Sequence, residues 1–347
     1  MARYSSNSGG KEKGKALQQP VPNPLLVRYR QEVEKRLIEI YSSDGWISAA
    51  ASEAIRAGGK RLRPILAVLT CEAICGNPEP AFLAALAYEL AHSASLIQDD
   101  IIDESSMRHA SPTAYKRYGL ARAIMLSDSM IFEIFTLLSR YDKTNVPKDA
   151  LVRLLELLGR AASLAAEGEM LEVALSRRGD IQTEEYTKVI GHKTGALFAA
   201  SAASGAVVAG ADKPLVDKMY EFGMALGIAF QIGDDMLDMS GDTENTGKPA
   251  FKDIENNAGN VVILHALSKA DAIQKITINS LLFKKWFTSL EADKLLSLLK
   301  ELGSFEHAES MLSVQTSLCR SLLEFLPPSH ARNALDALIQ TVEVRKE

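Results

Sequence analysis

AFLAALAYELAHSASLIQDDIID, residues 81–103, decides how the chain is read. Ala, Leu, Ile and Tyr dominate it and Gly and Pro are absent, so helix propensity is high and both faces are largely apolar. Such a helix belongs in an interior, yet this one ends on three aspartates. Buried carboxylates are costly unless something neutralises them. Asp99 and Asp103 lie four residues apart on one face, with Asp100 beside them. Two carboxylates one turn apart, backed by a third, suit Mg²⁺, which takes oxygen ligands, keeps several waters and is often completed by phosphates.

The same device returns at FQIGDDMLD, residues 230–238. Asp234 and Asp238 are one turn apart, Asp235 is adjacent, and Gln231 sits one turn earlier. One such cluster reads equally well as a helix-end charge group or a salt-bridge partner. Two, each inside an apolar helical stretch, point to a polar floor in an apolar bundle, where the clusters face each other across Mg²⁺ and a diphosphate.

Working outward, the 347 residues are 47% hydrophobic and 24% charged, enough for a large core in a soluble globular protein. A net charge of -5 argues against nucleic acid as a partner. Cys71, Cys75 and Cys319 form neither a disulfide framework nor a zinc pattern, which fits a reducing cytoplasm. No segment reads as a membrane span. The most apolar run, 195–211, is short and rich in Ala, Gly and Ser, the mark of a closely packed interior helix. Residues 1–23 are polar, Gly/Ser-rich and closed by prolines, and are expected to be a disordered tail. Residues 24–347 read as a single all-helical domain: helical patterns cover 24–41, 46–57, 62–75, 78–103, 115–140, 147–177 and 213–238, with others around them. There is no run of alternating strands, no fixed repeat and no dividing linker, so the fold class is an all-α bundle.

GGKRLRP, residues 58–64, ends one helix and starts the next with Pro64 in its first turn. Exposed amides and Lys/Arg side chains at a helix start make an anion site, although a solvated basic turn is the plainer reading.

Together these motifs resemble the trans-prenyltransferases, the isoprenyl diphosphate synthases, and most of all the geranylgeranyl diphosphate synthases. GGKRLRP at 58–64, DDIID at 99–103 followed by Arg108 and Pro112-Thr113, GHKTG at 191–195, FQIGDDMLD at 230–238 and GKP at 247–249 occur in this order. The resemblance runs from about residue 25 onward. It implies a helical bundle, usually a homodimer, with a deep apolar cavity below the two acid motifs. It further implies that isopentenyl diphosphate condenses head-to-tail with an allylic diphosphate (dimethylallyl, geranyl or farnesyl), with about three Mg²⁺ per site neutralising the leaving diphosphate. By the same resemblance Asp99, Asp103 and Asp234 are direct metal ligands. Asp100, Asp235 and Asp238 ligate or support them. Arg108, Lys193 and Lys248 grip the allylic diphosphate, and Lys60, Arg63 and His92 hold that of isopentenyl diphosphate. The oxygens of Thr194 and Gln231 face the developing cation, which places Lys193, Thr194 and Gln231 at the catalytic centre. Each of His92, Lys193, Thr194 and Gln231 has a plain structural alternative: satisfied core histidine, solvated lysine, helix cap, packing residue.

The sequence departs from the family pattern in four places. Arg108-His109-Ala110 stands where two arginines and a glycine are usual, and His109 could bind diphosphate only when protonated. Asn260 replaces a lysine, Gly168-Glu169 replaces Gly-Gln, and Ser127-Asp128 replaces Gly-Asp. Product length follows from what blocks the cavity below Asp99. Ala94 and Ser95, and Ala91 a turn further, are all small, so a product of C20 or longer is expected, with Tyr88, Met125, Met130 and Phe132 as the next candidate floors. Two rivals remain. A class I terpene cyclase is opposed by the second DDMLD and by Lys60/Arg63, and a non-catalytic subunit of a prenyltransferase heteromer is opposed by two intact acid motifs.

Overall fold

The computed structural model describes residues 23–108, 111–178, 181–239, 259–282 and 288–343. The expected tail up to residue 22, His109 and Lys248 lie outside the described residues.

Helix α1 (Pro24–Ile40) opens with Pro24 in its first turn, and the Asn23 side chain accepts from the Leu25 N–H at 2.9 Å. It leads to α2 (Trp46–Arg56) and α3 (Leu62–Cys75), which Gly76 ends in the left-handed conformation. A 3₁₀ turn, Glu79–Ala81, then enters α4 (Phe82–Ile102), the helix of the opening stretch. After it come a two-residue antiparallel pair, β1 (Met107–Arg108) and β2 (Ser111–Pro112), and then α5 (Ala114–Tyr118) and α6 (Leu120–Ser139). The helix expected over 115–140 is therefore broken, because Gly119 takes φ 84° and is both the end of α5 and the cap of α6. Helix α7 (Lys148–Arg178), α8 (Thr183–Ile190), a π-helical turn Gly191–Gly195, α9 (Ala196–Val208) and α10 (Lys213–Met239) follow. The chain closes with α11 (Val261–Lys269), α12 (Ala272–Leu282), α13 (Ser289–Glu301), α14 (Ser304–Leu323) and α15 (His330–Glu343).

Every residue of α9 is buried, and it lies between α3 and α10. The small residues permit this. A Cβ added at Gly205 would strike the Ala67 carbonyl and the Thr70 side chain, and one at Gly223 would strike the Phe198 carbonyl. Helix α4 packs on α3 and α6 and is tied down at its lower end. The Tyr141 hydroxyl donates to the Pro80 carbonyl at 2.7 Å and accepts from the Ala84 N–H at 3.1 Å. With its entry turn, α4 is long and apolar enough to cross a membrane by length and composition. Most of it is buried inside the bundle, where it serves as a core helix.

Candidate active site

Helix α4 carries the first acid motif at its C-terminal end, where the helix dipole adds to the carboxylates' mutual repulsion. Asp99 is half-buried, and no described group donates a hydrogen bond to its carboxylate. Burial, helped by the charges of Glu169 and Asp103 and opposed by those of Lys193 and Arg108, raises its pKa to about 6. Asp103 is exposed just past the helix end. Asp100 is different: it is 4% exposed, and the Arg108 Nε donates to its Oδ1 at 2.9 Å and Oδ2 at 3.1 Å. Both oxygens of Asp100 and the Nε and Nη2 of Arg108 are thus engaged with each other. In this arrangement Asp100 supports the motif through Arg108, and Arg108 would reach a diphosphate only by exchanging part of this contact. The pair holds the end of β1 against the motif.

The second motif, near the end of α10, divides in the same way. Asp235 is 2% exposed. It accepts from the Tyr186 hydroxyl at 2.7 Å, the Val261 N–H at 2.9 Å and the Gln231 amide at 3.0 Å. So Asp235 too anchors the motif, while Asp234 and Asp238 are half-buried. Asn260 explains itself here. Its Oδ1 caps α11 by accepting from Val262 at 3.0 Å and Ile263 at 3.4 Å, and its Nδ2 donates to the Asp235 carbonyl at 3.1 Å. At 2% exposure it is a staple between α10 and α11, and a lysine in its place could not supply the Oδ1 that caps α11.

The π turn joins the two motifs. The Thr194 hydroxyl donates to Gln231 Oε1 at 3.1 Å, and Gln231 donates on to Asp235. Next to Thr194, Lys193 extends to the neighbourhood of Asp99. It does not stand free: two α7 carboxylates one turn apart hold its ammonium, Glu169 at 2.6 Å and Glu172 in a shorter contact. Burial alone would lower the lysine pKa, but the pair of carboxylates overcomes it and holds the group above its usual range. Sequence reading missed Glu172 and treated Glu169 only as a departure; their signal was their spacing on one face of α7, one turn apart. Gly168 lets α7 approach this turn, since a Cβ there would lie 2.5 Å from the Lys193 N and 3.0 Å from the His192 Cβ. Gly168→Ala is expected to displace the turn and lower kcat by about tenfold or more, at a stability cost of about 1–3 kcal/mol. Steady-state kinetics and a thermal melt on the same sample check this.

The basic loop is joined to α4 through Arg61, whose Nη1 donates to Glu89. Lys60 is exposed, and Arg63 is half-buried with its guanidinium 4.6 Å from the Phe198 ring centroid. Burial lowers the Arg63 pKa to about 10 against the pull of Glu89 and Asp99, and its Nε has no hydrogen-bond partner. A buried cation with an unspent donor fits an anion subsite. Burial, then Arg63, Arg108 and Arg61, push His92 well below the usual imidazole range. That direction favours the uncharged imidazole.

Asp99, Ser95 and Ala91 form a half-buried stripe at four-residue spacing. Ala94 is off this stripe and 1% exposed, packed where the Ser127 hydroxyl donates to its carbonyl at 3.3 Å. Tyr88 closes the lower end, 1% exposed and hydrogen-bonded to the Ser204 hydroxyl at 2.9 Å. Of the other candidate floors Met130 is buried, but Met125 and Phe132 are 55% and 67% exposed and point away from the interior. They are corrected to surface residues.

Among the described residues no three His, Cys, Asp or Glu side chains already form a cation cage. The carboxylates of the two motifs nevertheless fit Mg²⁺, which commonly takes one or two carboxylates and completes its shell with water and phosphate oxygens. The raised Asp99 pKa has a consequence for the metal-free protein. The unfolded carboxyl ionises near pH 4, the folded one near 6, so folding stability falls as pH rises through that window and stays lower above it. Asp99→Asn should therefore stabilise the chelated protein at pH 8 by about 2 kcal/mol, after discounting for partial exposure, and hardly at all at pH 4.5. Thermal melts at the two pH values test the sign.

Residues 44–299 match the family model for polyprenyl synthetases. The short chain isoprenyl diphosphate synthase of Methanothermobacter thermautotrophicus is 31% identical over 325 residues, covering 93% of this chain and 98% of that one. The geranylgeranyl diphosphate synthase of Saccharolobus solfataricus is 30% identical over 303 residues, 86% of this chain and 91% of that one. Among solved structures, the geranylgeranyl pyrophosphate synthetase of Pyrococcus horikoshii superposes with a TM-score of 0.85 at 30% identity, over 92% of this chain and 98% of that one. The chain belongs to the polyprenyl synthetase family and has its all-α fold. It is a prenyltransferase of the isoprenyl diphosphate synthase type, and neither the subunit nor the cyclase reading is favoured.

Proposed function

We propose that the protein condenses isopentenyl diphosphate with an allylic diphosphate to give a trans-polyprenyl diphosphate of C20 or somewhat longer, as a Mg²⁺-dependent homodimer. The observation that carries the reading is the π turn, whose Thr194 bonds Gln231 of the second motif, while the charge of the adjacent Lys193 acts to lower the pKa of Asp99 in the first. One diphosphate can thereby meet both acid motifs.

Asp99, Asp103, Asp234 and Asp238 would hold the metal, about three ions per site, and bound Mg²⁺ neutralises charge on the departing diphosphate. The C1–O bond of the allylic substrate breaks with its electron pair leaving on the diphosphate. The double bond of isopentenyl diphosphate supplies the electrons for the new C–C bond, and a proton is then lost to the released diphosphate. Thr194 spends its proton on Gln231 and so keeps hydroxyl lone pairs for the allylic cation. Lys60, Arg63 and neutral His92 fix the second substrate, and Lys193 reaches the allylic diphosphate by exchanging part of its contact with Glu169 and Glu172. Holding both substrates in line removes much of the entropic barrier. The small stripe Ala91–Ser95 leaves room for a chain beyond C15, and Tyr88 is the floor.

An apolar face of α6 supports the dimer: Leu120, Ile124, Met125, Phe132 and Phe135 are each more than 40% exposed at helical spacing. The free cysteines Cys71, Cys75 and Cys319 support a cytoplasmic setting. The test is incubation of purified protein with labelled isopentenyl diphosphate, Mg²⁺ and each allylic starter in turn, with product length read by mass spectrometry. A C20 or longer product, absent with chelator, is expected. No incorporation with any starter would return the subunit reading.

A further inference from the structure

We propose that Arg61 and Glu89 form a buried positioning pair that sets the geometry of the Lys60/Arg63/His92 subsite. The proposal rests on the reading of that subsite as the seat of isopentenyl diphosphate.

Arg61 is unusual in its backbone. It takes φ 51° and ψ 35°, a left-handed conformation that few residues other than Gly, Asn and Asp adopt. It follows Gly58 at φ 98° and Gly59 at φ 149°, so three of four consecutive residues lie at positive φ. Something must hold this loop, and the Arg61 side chain does. Its Nη1 donates to Glu89 Oε1 at 2.5 Å, its Nη2 donates to the Ile55 carbonyl, and its Nε lies 3.5 Å from Glu34 Oε1. Gly59 sits directly over the guanidinium, where an added Cβ would be 3.2 Å from Nη1. The loop is thus wrapped around one buried cation that links the end of α2, the middle of α1, and α4.

Arg61 is not itself a ligand. It is 6% exposed and its guanidinium donates into the protein, whereas its neighbour Lys60 is exposed. It acts through what it holds. The Arg61 carbonyl accepts the Ile65 N–H at 3.1 Å and starts α3, the helix whose first turn carries Arg63. The Arg63 carbonyl is fixed in turn by the Ser201 hydroxyl at 2.6 Å. Glu89, 3% exposed, lies one turn before His92 on α4. The pair therefore locks the loop bearing Lys60 and the helix start bearing Arg63 to the helix bearing His92. A buried ion pair is a poor source of stability compared with apolar packing, and a strained backbone makes it poorer, whereas fixing a geometry is a role such pairs perform well.

The test uses the full-length protein. Arg61→Gly accepts the left-handed conformation and removes the whole side chain with its guanidinium; Glu89→Gln removes the partner charge and keeps the shape. Each is expected to raise KM for isopentenyl diphosphate by about tenfold or more, with KM for the allylic substrate and kcat within about threefold. The double variant Arg61→Gln/Glu89→Gln removes the unpaired buried charge. It should recover thermal stability relative to Glu89→Gln while KM for isopentenyl diphosphate stays high. Calorimetric titration of isopentenyl diphosphate into the wild type and Arg61→Gly in the presence of chelator measures the subsite without turnover. Binding by the wild type supports the subsite reading whether or not turnover is seen, and a tenfold or greater loss of affinity in Arg61→Gly supports the positioning role; no binding by the wild type would overturn both. Equal affinity in that titration, or equal rises in both KM values, would overturn the proposal.

Discussion

Asp99→Ala is expected to lower kcat by about a thousandfold or more while the fold survives intact, because neutralisation of the leaving diphosphate is the largest single contribution to this chemistry. Asp99 is the clearest case for separating catalysis from stability. It is half-buried, receives no hydrogen bond from a described residue, and carries a pKa raised by burial to about 6. Removing it deletes a charge that costs the metal-free protein, so the melting temperature in chelator at pH 8 should not fall. Asp100→Ala, one residue along, should behave in the opposite manner. It leaves the Arg108 Nε without the carboxylate it bonds at 2.9 and 3.1 Å and, with Arg108 about a third exposed, should cost about 1–2 kcal/mol of stability. Kinetics and melts on the two variants distinguish ligand from anchor; wild-type turnover in Asp99→Ala would end the metal assignment.

Ser95→Phe is expected to move the main product from C20 or longer down to C15. Ser95 is one turn below Asp99 on the half-buried stripe, and Ala91 one turn below that. A phenyl ring on the stripe fills space that the growing chain needs, whereas Ala91→Phe, further down, should stop it later. Ala94→Phe is the control. At 1% exposure, beneath Ser127, it has no open space and should overpack the α4–α6 contact by about 1–3 kcal/mol without a clean change of product. Mass spectrometry of the extracted products from each variant checks the order Ser95, Ala91, wild type.

What could be read before folding follows from the physics of each signal. The acid helices were legible because carboxylates at the end of an apolar helix contradict burial, and the same contradiction occurred twice. Periodicity could not say which carboxylate of each motif points inward. Asp100 and Asp235 differ from their neighbours through partners distant in sequence: Arg108 for one, and Tyr186 and the Val261 N–H for the other. Asn260 looked like a lost positive charge and is instead a cap joined to the second motif, which only the meeting of α10 and α11 reveals. Exposure at Met125 and Phe132 could not be read either, since an apolar residue on an amphipathic helix may face a core or a partner. The break at Gly119 was readable from glycine alone, but the apolar pattern on both sides hid it.

The central claim is that both acid motifs serve one diphosphate. Electron paramagnetic resonance of Mn²⁺ titrated into the purified protein, with and without a non-ionising allylic thiolodiphosphate, tests it most directly. The account predicts tight, diphosphate-dependent binding of about three ions that is lost in Asp99→Ala and equally in Asp234→Ala. Full Mn²⁺ binding retained in either variant would contradict a single shared site.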